Sequence, residues 1–508
     1  MKLILAGFNV DVETLKELNN GKLNHETMTP ETISAAYARI SRSPKPVNEL
    51  RELSRHEVEK SRKSNKNIIF AMGHHSVAEH AVFNFDVIGV SRLAIEEVEK
   101  FRLCSFTEKS QRYITLEGEF IVPGELKGSP FQDRFVAVAK EQNQLYHRLF
   151  ERLKEHVFAT HQPLAADQKN HSLLEGWAKE DARYVTPLAN TGQLGQTINA
   201  RNLELLMRRF ASHALAEVQD LGRKYYELVE KIAPSIILFH QANDFDQKTH
   251  PELRALAQEL LPGAPGPARG PATLDRYTPD PDMITVAALV HASTRMNFDQ
   301  CLAAVSTMSG QQRSDWVKRA CAHMELYDST LREFEHVNFT FELVVSAACF
   351  GQLKRHRMAS QTMQPYDPEL GLTIPPSVRE VGMDKEFSDI ARKSEDLFYE
   401  IQKKLPHAAP YILTNAHRRR VLFTVNAREL YHVARLREDT HAQWDIRQLS
   451  VRMSEEAKKV APLTMLLICG KDRYAEHYTQ VYGQPPKVAQ AVLPGHEQRP
   501  GAREKNIS

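Results

Sequence analysis

The sequence predicts an α+β protein made of two tandem domains, each a mixed or antiparallel sheet flanked by long helices. A segment pattern that occurs twice in the same order carries this reading, together with one Pro/Gly-rich break between the copies. In the first half, Glu79-His80-Ala81-Val82-Phe83-Asn84-Phe85-Asp86-Val87 alternates apolar and polar residues, as a half-buried strand does. Glu335-His336-Val337-Asn338-Phe339-Thr340-Phe341-Glu342-Leu343 repeats it position for position. Each strand runs into a short helical segment and then a cationic patch, Lys100-Phe101-Arg102-Leu103-Cys104-Ser105 or Arg355-His356-Arg357-Met358-Ala359-Ser360. Later in each half Asn-Ala-Arg opens a long helix, at Asn199-Ala200-Arg201 and at Asn426-Ala427-Arg428. Shared order and similar spacing over this length read as a tandem duplication.

Between the copies, Leu261-Pro262-Gly263-Ala264-Pro265-Gly266-Pro267-Ala268-Arg269-Gly270-Pro271 cannot sustain a helix or a central strand. The expected organisation is therefore an N-terminal domain over 1–245, a linker over 246–282, a C-terminal domain over 283–483 and a flexible tail over 484–508. A chain of 508 residues is long enough for two or three such cores.

Composition removes several function classes. The net charge is only +2, so nothing global attracts nucleic acid or an acidic membrane. The five cysteines (Cys104, Cys301, Cys321, Cys349, Cys469) are scattered, odd in number and without a CxxC. That fits reduced thiols rather than a disulfide framework or a zinc ribbon. No apolar run reaches membrane-spanning length, and Leu3 to Phe8 is too short for a signal-peptide core. A soluble, cytoplasmic protein is expected.

The chemistry-bearing stretch is Gln352-Leu353-Lys354-Arg355-His356-Arg357-Met358-Ala359-Ser360, which follows the apolar run Phe341 to Phe350. Cations arriving where a buried element ends point to a waiting anion or planar polar group, or else complement a helix C-terminus. In the long helix beginning at Asn426, Leu430, Val433, Ala434 and Trp444 form an apolar stripe, and Arg437 falls on it. A core arginine needs an anionic or carbonyl partner, either a structural carboxylate such as Asp445 or a ligand. Arg428 and His432 share a different face. Two other classes compete with this one. His74-His75-Ser76-Val77-Ala78-Glu79-His80 is ligand-rich, but its spacing does not match an inverted zinc-protease motif, and His80 is expected to open a strand. His417-Arg418-Arg419-Arg420 could join a nucleic-acid-binding patch or be a solvated loop; the neutral overall charge favours the loop.

Together these residues resemble the flavin-dependent thymidylate synthases, the ThyX class. That family's signature is Arg-His-Arg, then Ser, then an acid and Ser-x-Arg-Tyr, after a Glu-His-led strand. The resemblance covers both halves, with the signature divided between them. The second half keeps Gln352, Arg355, His356, Arg357 and Ser360, but Gln361-Thr362-Met363-Gln364-Pro365-Tyr366 lacks the acid, serine and arginine. It also keeps Asn426, Arg428, His432, Arg437 and Ala442-Gln443-Trp444. The first half has Lys100-Phe101-Arg102 in place of Arg-His-Arg, yet retains Ser105, Glu108, Ser110, Arg112 and Tyr113. It also retains Ala182-Arg183-Tyr184-Val185-Thr186-Pro187, where the second half has Pro410, and Gly73-His74-His75-Ser76, where the second half has Thr330-Leu331-Arg332.

The resemblance implies reductive methylation of dUMP to dTMP, with methylene from methylenetetrahydrofolate and hydride from NADPH through FAD. It implies His74, Ser76, Arg355, His356, Arg357, Asn426, Arg428 and His432 as flavin contacts, and Gln352, Glu108, Ser110, Arg112, Arg183 and Arg437 as nucleotide contacts. Arg437 and Arg355 stand as the catalytic cations, Arg437 by stabilising charge on the uracil carbonyl edge. Because family sites lie between subunits of a tetramer, a tandem chain that homodimerises would rebuild a four-domain core with composite sites. A flavin- or nucleotide-binding homologue without turnover, and a nucleic-acid-binding protein, are the competing expectations. Arg209 lies one position out of register with Arg437 and reads as a surface residue.

Overall fold

The computed structural model describes residues 1–20, 28–261, 266 and 269–487. It contains two four-stranded antiparallel sheets of the same topology. The first is ordered β1-β2-β4-β3, from β1 (Lys2–Phe8), β2 (Val82–Ser91), β3 (Cys104–Glu108) and β4 (Thr191–Asn199). The second is ordered β5-β6-β8-β7, from β5 (Ala272–Tyr277), β6 (Asn338–Ser346), β7 (Ser360–Met363) and β8 (Arg418–Asn426). The protein is α+β, and the duplication extends to local irregularities. The edge strand shifts register between Leu5 and Gly7 opposite Phe85 and Asn84, and between Leu274 and Arg276 opposite Phe341 and Thr340. One difference is the bulge at Gly89, which has φ +65° and gives β2 one residue more than β6.

The junctions repeat as well. Ser91 and Ser346 each end a strand and cap the following short helix, accepting from the amides of Ala94 and Cys349. Each hydroxyl then donates to an acid at the start of a later helix, Glu217 at 2.6 Å or Asp445 at 2.7 Å. Asn199 caps the Ala200–Ala211 helix, and Asn426 caps Ala427–Arg437.

The chain folds into two compact units that cut across the repeat. One takes Met1–Gly266 with Leu372–His417, the other Pro267–Gly371 with Arg418–Ser508. Within the first unit, the Asp384–Gln402 helix packs on the long Gln132–Thr160 helix. There the buried Gln142 amide donates to both Ser394 Oγ and the Ile412 carbonyl at 2.8 Å. In the second unit, Phe339, Phe341, Phe423 and Val425 from the sheet meet Leu430, Val433, Ile446 and Met453 from the helices.

Several sequence expectations change. The strands start later than expected, because Glu79-His80 and Glu335-His336 close 3₁₀ turns (His75–His80, Arg332–His336) ahead of β2 and β6. The helix from Asn426 ends at Arg437, and Trp444 begins a separate helix, Trp444–Val460. The apolar stripe from Leu430 to Trp444 therefore spans two helices. Of the stretch 246–282 expected as linker, Asp244–Leu260 is largely a helix and Ala272–Tyr277 is the edge strand β5. An Asn243/Asp246 capping box starts that helix despite Pro251 inside it. Residues 262–265, 267 and 268 of the Pro/Gly run, and 488–508 of the expected tail, lie outside the described residues. His417-Arg418-Arg419-Arg420 is not a solvated loop. His417 is buried, Arg418 begins β8, and the Arg419 guanidinium stacks on Tyr366 at 4.2 Å and Phe350 at 5.0 Å. No helix among the described residues is long and apolar enough to cross a membrane.

Candidate active site

Each unit carries its own cluster of cations. In the second unit the helix Ala347–Leu353 ends and the chain turns back toward β7, carrying Arg355-His356-Arg357. The turn is tied by His356 N–H to the Leu353 carbonyl and by the Gln361 amide to the His356 carbonyl, at 3.1 and 2.9 Å. It splits the three side chains by environment: Arg355 is exposed, Arg357 half-buried, and His356 only 2% exposed.

Against His356 lies Arg437, from the last turn of the Ala427–Arg437 helix. Its Nε donates to His356 Nε2 at 2.9 Å and its Nη2 to the Gln352 carbonyl at 3.1 Å. Burial, with Arg437 and His432 nearby, holds the imidazole well below its usual protonation range, so it is neutral. The Gln352 side-chain Nε2 is buried without a hydrogen-bond partner among the described residues. Arg437 is half-buried rather than fully on the apolar stripe, and Asp445 receives the Ser346 hydroxyl. His432 is exposed and meets the His356 ring edge-on at 6.0 Å.

Two expected flavin contacts have structural duties in this unit. Asn426 Oδ1 caps its helix through the Glu429 amide at 2.8 Å. Arg428 binds the Thr330 carbonyl at 2.8 Å and Glu335 at 3.1 Å, pinning the 3₁₀ turn before β6 to the helix. The Arg428 side chain nevertheless keeps 38% exposure, which leaves donors open to a ligand.

The first unit gathers a different set. Arg112 Nε donates to Glu180 Oε2 at 2.6 Å, and Arg183 Nε to the Glu180 carbonyl at 3.2 Å, so one residue draws both arginines together. Arg92 pairs with Glu108 at 2.8 Å, both largely buried. Ser110 Oγ accepts the Arg112 amide at 3.1 Å. Burial lowers the proton affinity of the Arg183 guanidinium, and Arg92 and Arg112 act in the same direction against Tyr184 and Glu180. Its Nη2 is buried without a hydrogen-bond partner among the described residues. A buried cationic donor with no acceptor is costly, and a phosphate or carboxylate ligand would satisfy it. Beside Glu108 a cavity of about 130 Å³ opens, also lined by Gln111, Asn190 and Gln193. His74 and Ser76 lie exposed at the start of the His75–His80 turn.

The units differ at the pair made by His356 and Arg437. Where the second unit has His356 and Arg437, the matching positions of the first are Phe101 and Phe210, whose rings meet edge-on at 6.0 Å. An apolar contact has replaced a polar one on both sides together. Arg209, the out-of-register arginine, pairs instead with Asp246 at 2.7 Å and faces the Phe245 ring. Where the first half of the sequence has Arg183, the equivalent 3₁₀ turn of the second half, Ala409–Ile412, has Pro410.

A family model described as thymidylate synthase complementing protein matches twice, over residues 22–235 and 273–463. The chain belongs to that family. Its first match contains β2, β3 and β4, and its second contains β6, β7, β8 and nearly all of β5. Among curated relatives, a UPF0159 protein of Thermoplasma acidophilum is 23% identical over 84% of this chain and 93% of its own length. A flavin-dependent thymidylate synthase of Clostridium tetani is 30% identical over 43% of this chain and 85% of its own. Another of that name, from Saccharolobus solfataricus, is 33% identical over 37% of this chain and 72% of its own. The similarity to the first relative therefore extends over both halves of the chain, whereas that to each of the two synthases spans less than half of it.

Sequence reading missed three members of this thymidylate synthase complementing fold's polar clusters: Arg92, Glu180 and Glu429. Comparison of the halves contained the signal, since Arg92 stands opposite Ala347 and Glu429 opposite Asn202.

Proposed function

We propose that the protein is an FAD-dependent thymidylate synthase that methylates dUMP reductively, using methylenetetrahydrofolate and NADPH. In this reading its working sites are composite: the second half holds the flavin and polarises the base, and the first holds the nucleotide phosphate. The observation that carries the proposal is the complementary loss. The first unit keeps an arginine cluster with an unsatisfied Arg183 donor but has Phe101 and Phe210 in place of the polarising pair. The second half of the sequence keeps His356 and Arg437 but has Pro410 in place of Arg183.

The residues fit the groups they would hold. Arg355, Arg357, His432 and the outward donors of Arg428 offer cations and planar donors to a flavin and its pyrophosphate, with His74 and Ser76 as further contacts. The flavin, when bound, supplies the redox chemistry. Arg112, Ser110 and Arg183 would hold the phosphate, and Gln352 Nε2 would meet a carbonyl. Arg437, directed by a neutral His356, would stabilise negative charge on the uracil carbonyl edge and so make the ring carbon a better nucleophile. All five cysteines are buried, which accords with a route that needs no thiol nucleophile.

A second reading, a flavin- or nucleotide-binding homologue without turnover, draws on the full-length similarity to a UPF0159 protein. The absorption spectrum of the purified protein, followed by dTMP formation on adding dUMP, NADPH and methylenetetrahydrofolate, separates the two. A yellow protein carrying about one flavin per chain and forming dTMP is expected. A yellow but silent protein would favour the second reading, and a colourless protein that takes up no FAD would overturn both flavin assignments.

A further inference from the structure

Arg437 always carries its proton on Nε, so in the contact with His356 it is the donor and Nε2 must offer a lone pair. The neutral ring therefore keeps its hydrogen on Nδ1. That nitrogen faces Glu429 Oε1 at 3.6 Å. The separation is too long for a closed hydrogen bond, but it aims an N–H dipole at a carboxylate inside a nearly water-free pocket. Among the described residues, Arg437, His432 and Glu429 are the charged or titratable groups that act on the ring. Among them, Arg437 keeps hydrogen off Nε2, and Glu429 offers an acceptor to the hydrogen on Nδ1.

The placement of Glu429 is unusual for its position. It is the third residue of its helix, where an acid often returns a hydrogen bond to the N-cap amide. The helices starting after Asn243, Asn297 and Ser309 do form that reciprocal box. At Asn426 only the cap half is made, and the Glu429 carboxylate turns to the imidazole instead. The first unit supplies an independent comparison. Where His356 and Arg437 have become Phe101 and Phe210, the position of Glu429 is Asn202, whose amide bonds Asn199 Oδ1 at 2.8 Å. An acid kept only to favour a helix N-terminus would serve equally well at 202. All three members of the relay are exchanged together.

We propose that Glu429 is a positioning residue that fixes, through the tautomer of His356, the direction in which Arg437 presents its guanidinium. The significance for turnover rests on the synthase reading above; the contact itself does not. The test uses the full chain with ¹⁵N-labelled histidine rings, His356 being assigned by its absence from His356→Phe. The wild-type ring should be neutral with hydrogen on Nδ1, and Glu429→Leu, which keeps bulk but removes the acceptor, should populate the Nε2–H form. In dTMP formation, Glu429→Leu should lower kcat about ten-fold with KM for dUMP and flavin occupancy unchanged. Glu429→Gln, whose amide oxygen also accepts from Nδ1–H, should restore most of both readouts. An unchanged tautomer in Glu429→Leu would overturn the proposal, as would equal loss in the Leu and Gln variants. A wild-type protein that forms no dTMP would defeat the synthase reading while the tautomer readout still decides the role of Glu429.

Discussion

At the scale of single residues, the protein is read most directly through its unequal pairs. His356 with Arg437 is a buried polar contact that needs a reason to persist, because the same place in the first unit is filled by two phenylalanines without disturbing the helix. Buried polar pairs of this kind are seldom retained for stability alone. The division of roles can be tested separately on each cluster. Arg355→Ala should empty the flavin site, read as loss of the visible absorption, while Arg112→Ala should leave the colour and weaken dUMP binding at least ten-fold by titration. Full flavin occupancy in the first variant would remove Arg355 from the cofactor site, and a reversed outcome would exchange the roles of the halves.

At the scale of elements, the recurring device is a strand that ends in a capping serine, whose hydroxyl is then held by an acid from a later helix. This fixes where the short helix and its cationic turn begin, and so where the side chains of that turn point. The helices behind the sheet must approach closely to let it form. In the first unit, Gly222 of the Ala216–Val229 helix sits against Phe210, and a Cβ there would come within 2.8 Å of the Phe210 Cβ. Gly222→Ala should therefore destabilise by about 1–3 kcal/mol despite alanine's better helix propensity. A chemical denaturation curve with an unchanged midpoint would show that the two helices can move apart freely.

At the scale of the whole molecule, the buried neutral imidazole gives stability a pH dependence whose sign is fixed. His356 in the folded protein resists protonation well below 6.5, whereas the unfolded chain accepts a proton near that value. The group thus costs nothing above pH 6.5. As pH falls below it, the unfolded state binds a proton that the folded state refuses, and stability drops until the folded pKa is reached. The denaturation midpoint should fall between pH 7 and pH 5, and the fall should be smaller in the double variant His356→Phe, Arg437→Phe, which copies the pair found in the first unit. Identical slopes for the two proteins would mean that His356 titrates freely in the fold.

The duplication, the α+β class and the two cation-bearing segments were legible in the sequence alone, because strand alternation, Asn caps and Arg-His-Arg are local patterns repeated in one chain. The break at Glu438–Gln443 was not, since an apolar periodicity can continue across two helices that are separate in space. Nor was the burial of His417 and Arg419 against their neighbours, which turns an apparent basic loop into part of a sheet. Only tertiary structure paired Phe101 with Phe210 and His356 with Arg437, and placed Glu429 on the far nitrogen of the imidazole. The physical reason is distance along the chain. What each residue prefers is written locally, but the partner that satisfies a buried polar group comes from an element far away in sequence, 81 residues away in the case of His356 and Arg437.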